Sequence, residues 1–152
     1  MMLRNLYIRD FNMNHYLFED IRIGMCESYS VRITSDMMDS FRAISGDINP
    51  LHNDTEFAKE HGFEDRVVYG MLTSSFLSTL AGVYLPGENS LIHEVDVKFK
   101  KPVFVGDELI IKGEVSDINV DFNVFTMKVT MTNQNEEKVL RGTMRIGFLK
   151  RI

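Results

Sequence analysis

The chain has a single cysteine, no long apolar run and no excess of basic residues. Cys26 alone excludes an internal disulfide framework and a CxxC metal or redox pair, and it suits a reducing compartment such as the cytoplasm. No apolar stretch approaches the ~20 residues that a membrane-spanning helix needs, so no membrane partner is expected. The 17 basic residues are outnumbered by 22 acidic ones. With a net charge of -5, the chain is not expected to bind nucleic acid, because it would release few phosphate counterions.

The 152 residues fit one domain of ordinary globular composition, with 44% hydrophobic and 26% charged residues. The N-terminal residues lack the continuous apolar segment and cleavage site of a signal peptide. They also lack a clear pattern before the segment FEDIRIGM, which begins at Phe18. We therefore predict an N-terminal extension over residues 1–17, which can be disordered, and a single domain over residues 18–152. Met13 is a candidate translation start.

The first half of the chain is predicted to be mainly loop and helix. Alternating apolar side chains over residues 29–33 predict a short strand. Thr34 or Ser35 then caps a helix that ends at Gly46. The apolar residues of this helix recur at a spacing of three to four: Met37, Met38, Phe41 and Ile44.

Two more helices are predicted before residue 90. Asn53 followed by Glu56 resembles a capping box, which opens a short helix that stops at Gly62. The segment GMLTSSFLSTLAGVYL, residues 70–85, contains no charged residue and many small ones. A helix that is uncharged on every side is expected to be buried on nearly every side.

From Ser90 onward, apolar residues alternate with polar ones, which is typical of half-buried strands. Four such segments follow one another: VDVKFKKPV, GDELIIKGEV, NVFTMKVTM and VLRGTMRIGFL. Sequential alternating strands favour an antiparallel sheet whose apolar face needs a partner, and the uncharged helix is the only long candidate. The sequence therefore predicts an α+β domain in which a curved antiparallel sheet wraps around one long central helix. The basic residues Lys98, Lys100 and Lys101 are interpreted as a solvated strand face, although they could also meet an anionic ligand group.

The loop SGDINPLH, residues 45–52, has a structural and a functional interpretation. In the structural one, Asp47 accepts main-chain N–H groups in a turn and His52 is an ordinary histidine near a helix start. In the functional one, Pro50 stiffens the loop, so that Asp47 and His52 can act on one substrate atom as a general acid/base pair.

Two residues near the uncharged helix support the functional interpretation of the loop. Gly70 precedes this helix directly, and unpaired N–H groups at a helix start suit a developing oxyanion. Ser78 places a hydroxyl two turns further along the helix. Its ordinary role would be a hydrogen bond to the carbonyl four residues earlier.

Three segments carry a family resemblance: FRAISGDINPLHNDTEFA, YGMLTSSFLS and VKFKKPVFVGDEL. They resemble the MaoC-like, or hydratase 2, family of (R)-specific enoyl-CoA hydratases, which have the hotdog fold. The resemblance runs from about Phe18 to the C-terminus, and its G-D-x-N-P-[LIV]-H core, residues 46–52, is a specific motif. Residues 18–152 are thus identified as a single MaoC-like hotdog domain.

The resemblance implies a role for each matching residue. Asp47 and His52 would form the catalytic dyad, and Gly70 would supply a main-chain N–H group to the oxyanion hole. Ser78 would orient the aspartate, and Asn49 would help to hold the geometry of the dyad. The family often has His-Gly where this chain has Tyr69-Gly70, and the glycine N–H group survives that difference.

The implied reaction is the reversible syn addition of water to a trans-2-enoyl thioester, which gives a (3R)-hydroxyacyl thioester. The implied partner is an acyl-CoA or acyl-carrier-protein substrate. No cofactor and no metal are expected, because the histidines and carboxylates lack the spacing of a zinc site. A homodimer in the cytoplasm is expected, with a dimer of dimers as the alternative, since the edges of a small sheet need protection. Two other functions stay open: a hotdog acyl thioesterase, which would release a free thiol, and a non-catalytic acyl-binding or assembly subunit.

Overall fold

Five antiparallel strands form one sheet in the order β1-β3-β4-β5-β2. This computed structural model describes residues 12–152, and most of the predicted N-terminal extension, residues 1–11, lies outside the described residues. The strands are β1 (Cys26–Arg32), β2 (Ser90–Phe99), β3 (Glu108–Asn119), β4 (Val124–Thr132) and β5 (Lys138–Phe148). The predicted strand at residues 29–33 and the four alternating segments are all present.

Four α-helices lie between β1 and β2: α1 (Ser35–Ser45), α2 (Pro50–Asn53), α3 (Thr55–Glu60) and α4 (Gly70–Thr79). A π-helical turn (Leu80–Tyr84) continues α4, and a 3-10 turn (Phe18–Asp20) precedes β1. The predicted limits of α1 are confirmed: the Thr34 side chain accepts a hydrogen bond from the Met37 N–H group, and Gly46 ends the helix at φ 73°. Ile44 does not share the buried stripe of α1, because it is 84% exposed.

The prediction for the start of α3 is wrong by one residue. Asp54, not Asn53, caps α3, since its carboxylate accepts the N–H groups of Glu56 and Phe57. Asn53 belongs instead to α2, a single turn in a stretch that the sequence indicated as loop. Pro50 opens this turn, where its missing N–H group costs nothing.

The predicted α+β architecture, a curved antiparallel sheet around a central helix, is confirmed. The π-helical turn contacts β1 and β2, which are the two opposite edges of the sheet, and also β3. Five flat strands would hold those edges ~19 Å apart, so both can reach one short segment only if the sheet curves around it. On β3, next to the β1 edge, a Cβ atom at Gly113 would lie 3.0 Å from Leu80 and closer still to Met127 of β4. Glycine there lets the helical segment come close to β3.

The alternation of β3, β4 and β5 corresponds to burial, with their apolar residues facing the helix and almost fully covered. They include Leu109, Ile111, Val115, Phe125, Met127, Val129, Met131, Leu140, Met144 and Ile146. Because each Å² of apolar surface removed from water contributes about 25 cal/mol, burial of this face stabilises the closed sheet.

Two surfaces predicted to be buried are exposed in the single chain. On α4, only part of the helix is covered, and Met71 is 66% exposed. On β2, Val97 packs against the core, but the other apolar side chains are exposed: Leu91, Ile92, Val95 and Phe99. β2 is an edge strand that pairs only with β5, so no further strand of the described chain covers its outer edge.

The described part of the predicted extension runs beside the π-helical turn. The Asn14 N–H group donates to the Val83 carbonyl at 2.8 Å, and the Tyr16 N–H group donates to the Pro86 carbonyl at 3.1 Å. Within residues 12–152, no helix combines the length and apolarity that crossing a membrane would require.

Candidate active site

The loop before α2 is ordered by its own side chains. The Asp47 Oδ1 atom accepts the Asn49 N–H group at 3.0 Å, and the Asn49 Oδ1 atom accepts the Leu51 N–H group at 2.9 Å. The Ser45 hydroxyl oxygen accepts the Asp47 N–H group at 3.2 Å. Asp47 therefore makes the turn that the structural interpretation predicts. Its carboxylate is exposed, and its Oδ2 atom has no hydrogen-bond partner within the described residues.

The imidazole of His52 is oriented by a main-chain carbonyl. Its Nδ1 atom lies 2.6 Å from the Val67 carbonyl oxygen. Because a carbonyl can only accept, Nδ1 carries the proton in this contact, and the Nε2 atom of a neutral ring is left as an acceptor. The Val67 N–H group also donates to the Leu51 carbonyl at 3.0 Å, which holds α2 against the segment before α4. His52 thus presents a ring nitrogen able to accept a proton.

Tyr69 joins the parts of the site, and it is only 2% exposed. Its hydroxyl donates to the Asp47 carbonyl at 2.7 Å and accepts from the Asn53 Nδ2 atom at 3.2 Å. Its ring packs on His52, with 4.3 Å between the ring centroids, and on Phe41, with 4.9 Å. Because Tyr69 directly precedes Gly70, this one buried side chain fixes the Asp47 loop and the His52 ring relative to the start of α4. In the sequence, Tyr69 attracted notice only as a departure from the family pattern.

A cavity of about 320 Å³ lies beside these residues and is bordered by both His52 and Gly70. Gly70 is the first residue of α4, and its N–H group has no main-chain acceptor within the described residues. A Cβ atom at Gly70 would lie 3.0 Å from the Phe99 ring, so glycine allows this ring to close one side of the cavity. The cavity wall therefore includes a histidine and the residue that carries the first N–H group of α4, two groups that can act on a carbonyl compound.

Most of the cavity wall is apolar. Its aliphatic and aromatic members include Phe63, Val67, Val68, Phe99, Val103 and Val139. The charged residues of the wall are Lys100 and Lys101. Within residues 12–152, no cluster of three or more histidine, cysteine, aspartate or glutamate side chains is placed to hold a metal ion.

The structure brings some of the predicted site residues together and leaves others apart. His52 and Gly70 border the cavity, whereas Asp47, Asn49 and Ser78 are not among its wall residues. Between Asp47 and His52, the described part of the chain shows no direct hydrogen bond or ion pair; Tyr69 contacts both. The absence of a direct bond is compatible with a water molecule held between the two side chains.

Ser78 lies on the exposed face of α4, eight residues after Gly70 and roughly 12 Å further along the helix axis. Within residues 12–152, its hydroxyl is not bonded to Asp47, nor to the carbonyl four residues earlier. Earlier on the same helix, the hydroxyls of Ser74 and Ser75 donate to the carbonyls of Gly70 and Leu72. The role of Ser78 in orienting the aspartate stays a prediction.

The profile of the MaoC like domain family matches residues 24–139 of the chain. An (R)-specific enoyl-CoA hydratase from Aeromonas caviae is 35% identical over 124 residues, which are 82% of this chain and 92% of that protein. A second (R)-specific enoyl-CoA hydratase, from Rhodospirillum rubrum, is 32% identical over 78% of this chain and 81% of that protein. Among solved structures, the (R)-hydratase from A. caviae involved in PHA biosynthesis superposes with a TM-score of 0.82 at 33% identity, and the match covers 86% of this chain and 99% of that one. By sequence and by structure, the chain belongs to the MaoC-like domain family.

Proposed function

We propose that the protein is a hydro-lyase, an (R)-specific enoyl-thioester hydratase that catalyses the reversible syn addition of water to a trans-2-enoyl thioester. The observation that carries this proposal is the cavity whose wall includes both His52 and Gly70, the first residue of α4. The relatives from A. caviae and R. rubrum, named as (R)-specific enoyl-CoA hydratases, support the same reaction. A cytoplasmic location is part of the proposal.

The chemistry requires a positive site for the carbonyl oxygen. Attack of water at C3 of the enoyl group moves electrons through the conjugated double bond and builds negative charge on the thioester oxygen. The Gly70 N–H group lies at the positive end of the α4 dipole, and it would stabilise that charge by donating a hydrogen bond to the oxygen. One donor of this kind is typically worth about 3 kcal/mol in the transition state. The apolar cavity wall strengthens the interaction, because it excludes water that would screen it.

The acid/base work falls to Asp47 and His52. They would hold the attacking water between the Oδ2 atom of the aspartate and the Nε2 atom of the histidine, which are the atoms that their structural hydrogen bonds leave free. The pair removes one proton from the water as its oxygen bonds to C3. It returns a proton to C2, so that one water is added and the pair ends in its starting state. Tyr69 would act as a positioning residue that keeps both groups in register with Gly70.

A turnover assay separates the proposed reaction from its alternatives. With crotonyl-CoA, we expect the enoyl absorbance to disappear without any free thiol, and chiral chromatography to find the 3R product. Release of thiol would indicate a thioesterase, because water would then have attacked the carbonyl carbon. Neither change, with enoyl thioesters of any chain length, would indicate a non-catalytic acyl-binding subunit.

The proposed assembly is a homodimer formed through β2. Within residues 12–152 this strand pairs only with β5, and an exposed edge with apolar side chains needs cover. A second copy can pair its own β2 antiparallel to this one, which is the self-complementary contact that a two-fold dimer requires.

Val95→Lys is expected to convert the dimer into a monomer. The side chain lies at the middle of β2 and is 44% exposed, so a dimer would bury the introduced charge. Light scattering coupled to size exclusion measures the mass. As a matched control, Ile110→Lys places the same charge on an exposed apolar position of β3, away from the β2 edge, and is expected to leave the dimer intact. A wild-type monomer, or equal effects of both substitutions, would contradict the proposed interface.

A further inference from the structure

Two adjacent lysines give the cavity a positive rim. Lys100 and Lys101 follow the end of β2 directly and border the same cavity as His52 and Gly70. Both side chains are exposed, and the Lys100 N–H group donates to the Val139 carbonyl at 2.8 Å, which fixes the main chain at this point. Because β2 ends at Phe99, these lysines do not belong to the alternating face of the strand.

The two ammonium groups differ in what neutralises them. Lys101 donates to the Glu137 carboxylate, and this hydrogen bond holds the pKa of Glu137 below its usual value. Lys100 has no acidic partner within residues 12–152. In a chain whose net charge is -5, an uncompensated cation beside an apolar cavity favours an anionic ligand group over a neutral one.

On the basis of the proposed hydratase function, we propose that Lys100 binds a phosphate group on the carrier of the substrate. The acyl thioester reacts deep in the cavity, beside Gly70, while the carrier arm leaves through the mouth. In both coenzyme A and acyl-carrier protein this arm is pantetheine, an uncharged chain that ends in a phosphate. A lysine is a compact charge on a long flexible stem, which suits a phosphate held at a cavity mouth. Lys101 is held by Glu137 and adds to the positive field without being free to follow the ligand.

The phosphate that Lys100 binds can be that of phosphopantetheine or one of those on the CoA nucleotide. A series of three substrates distinguishes the two. Crotonyl-pantetheine has no phosphate, crotonyl-4′-phosphopantetheine has the one shared by both carriers, and crotonyl-CoA adds the phosphates of the nucleotide. For Lys100→Ala, we expect the KM with crotonyl-CoA to rise about fivefold and kcat to change little, as for the loss of one exposed ion pair. Lys100→Glu should raise this KM further, whereas Lys100→Arg should restore it.

The place in the series at which the effect begins identifies the phosphate. A higher KM with crotonyl-4′-phosphopantetheine assigns Lys100 to the shared phosphate, and an effect that begins only with crotonyl-CoA assigns it to the nucleotide. With crotonyl-pantetheine, variant and wild type are expected to differ little. Lys98→Ala is the matched control: it removes the same kind of charge two residues earlier, outside the cavity wall, and should leave every KM unchanged.

Two results would overturn the proposal and leave the hydratase function intact. One is an unchanged KM for Lys100→Ala with all three substrates that the wild type hydrates. The other is an equal rise for all three, since crotonyl-pantetheine has no phosphate to lose. A wild type that hydrates none of the three would instead contradict the hydratase function, and the phosphate assignment would fall with it.

Discussion

Asp47→Asn and His52→Asn are each expected to lower kcat for the hydration of crotonyl-CoA by about a thousandfold, within the range known for loss of general acid/base catalysis. Each substitution leaves a structural hydrogen bond possible. An asparagine in place of Asp47 can still accept from the Asn49 N–H group through its side-chain oxygen, and one in place of His52 can still donate its side-chain amide towards the Val67 carbonyl. What is lost is the carboxylate charge in one variant and the free ring nitrogen in the other. A fall in kcat therefore reports chemistry and not collapse of the loop.

Matched substitutions elsewhere test whether the loss is specific. His61 also places Nδ1 beside a main-chain carbonyl, that of Phe57 at 2.7 Å, and stacks on the Phe57 ring, but it is outside the cavity wall. Asp54 also makes a turn with a nearby N–H group, that of Glu56 at 2.9 Å. His61→Asn and Asp54→Asn should cost some stability and leave kcat within about twofold.

The decisive readout is kcat measured together with the free energy of unfolding. If Asp47→Asn or His52→Asn kept a tenth or more of the wild-type kcat while remaining folded, the dyad would be wrong. The two losses should also fail to add, because the residues act on one water as a unit.

The sheet and α1 could be predicted because their signals are local. Burial on one face makes apolar residues alternate along β3, β4 and β5. The limits of α1 depend on single residues directly beside the helix, Thr34 at its start and Gly46 at its end. The apolar face of β2 was predicted to be covered within the chain, and this error arises because the signal is local. Alternation shows that a face is apolar, but not which molecule covers it, so a strand covered by another molecule would have the same pattern as one covered by its own chain.

The sequence indicated candidate residues for the site, but not the contacts that position them. The loop motif indicated Asp47 and His52 as an acid/base pair, because Pro50 stiffens the segment between them. The partner that orients His52 is the carbonyl of Val67, a main-chain atom that leaves no mark in the sequence. The single turn α2 is too short to show a helical period. The contact between the Tyr69 hydroxyl and the Asp47 carbonyl spans 22 residues, which no local pattern encodes.

Tyr69→Phe is the second substitution with a large expected effect. It removes the hydroxyl that bonds the Asp47 carbonyl and Asn53, while the ring contacts with His52 and Phe41 remain. We expect kcat to fall about tenfold, because small misplacements of an acid/base group are costly, and KM to change less than twofold. Stability should fall by about 1 kcal/mol, as for other single hydrogen bonds.

A structural role alone would produce the loss of stability without the loss of kcat, and a control on another tyrosine measures that difference. Tyr29 also donates its hydroxyl to a main-chain carbonyl, that of Phe76, and stacks on Tyr84. Tyr29→Phe should therefore destabilise the chain to a similar extent and leave kcat unchanged. If Tyr69 acts through Asp47, the double variant Tyr69→Phe/Asp47→Asn should be no slower than Asp47→Asn alone, since a group that no longer reacts gains nothing from being held in place. Additive losses in that cycle would show that Tyr69 affects catalysis by another route, and an unchanged kcat in Tyr69→Phe would limit it to the packing of the core.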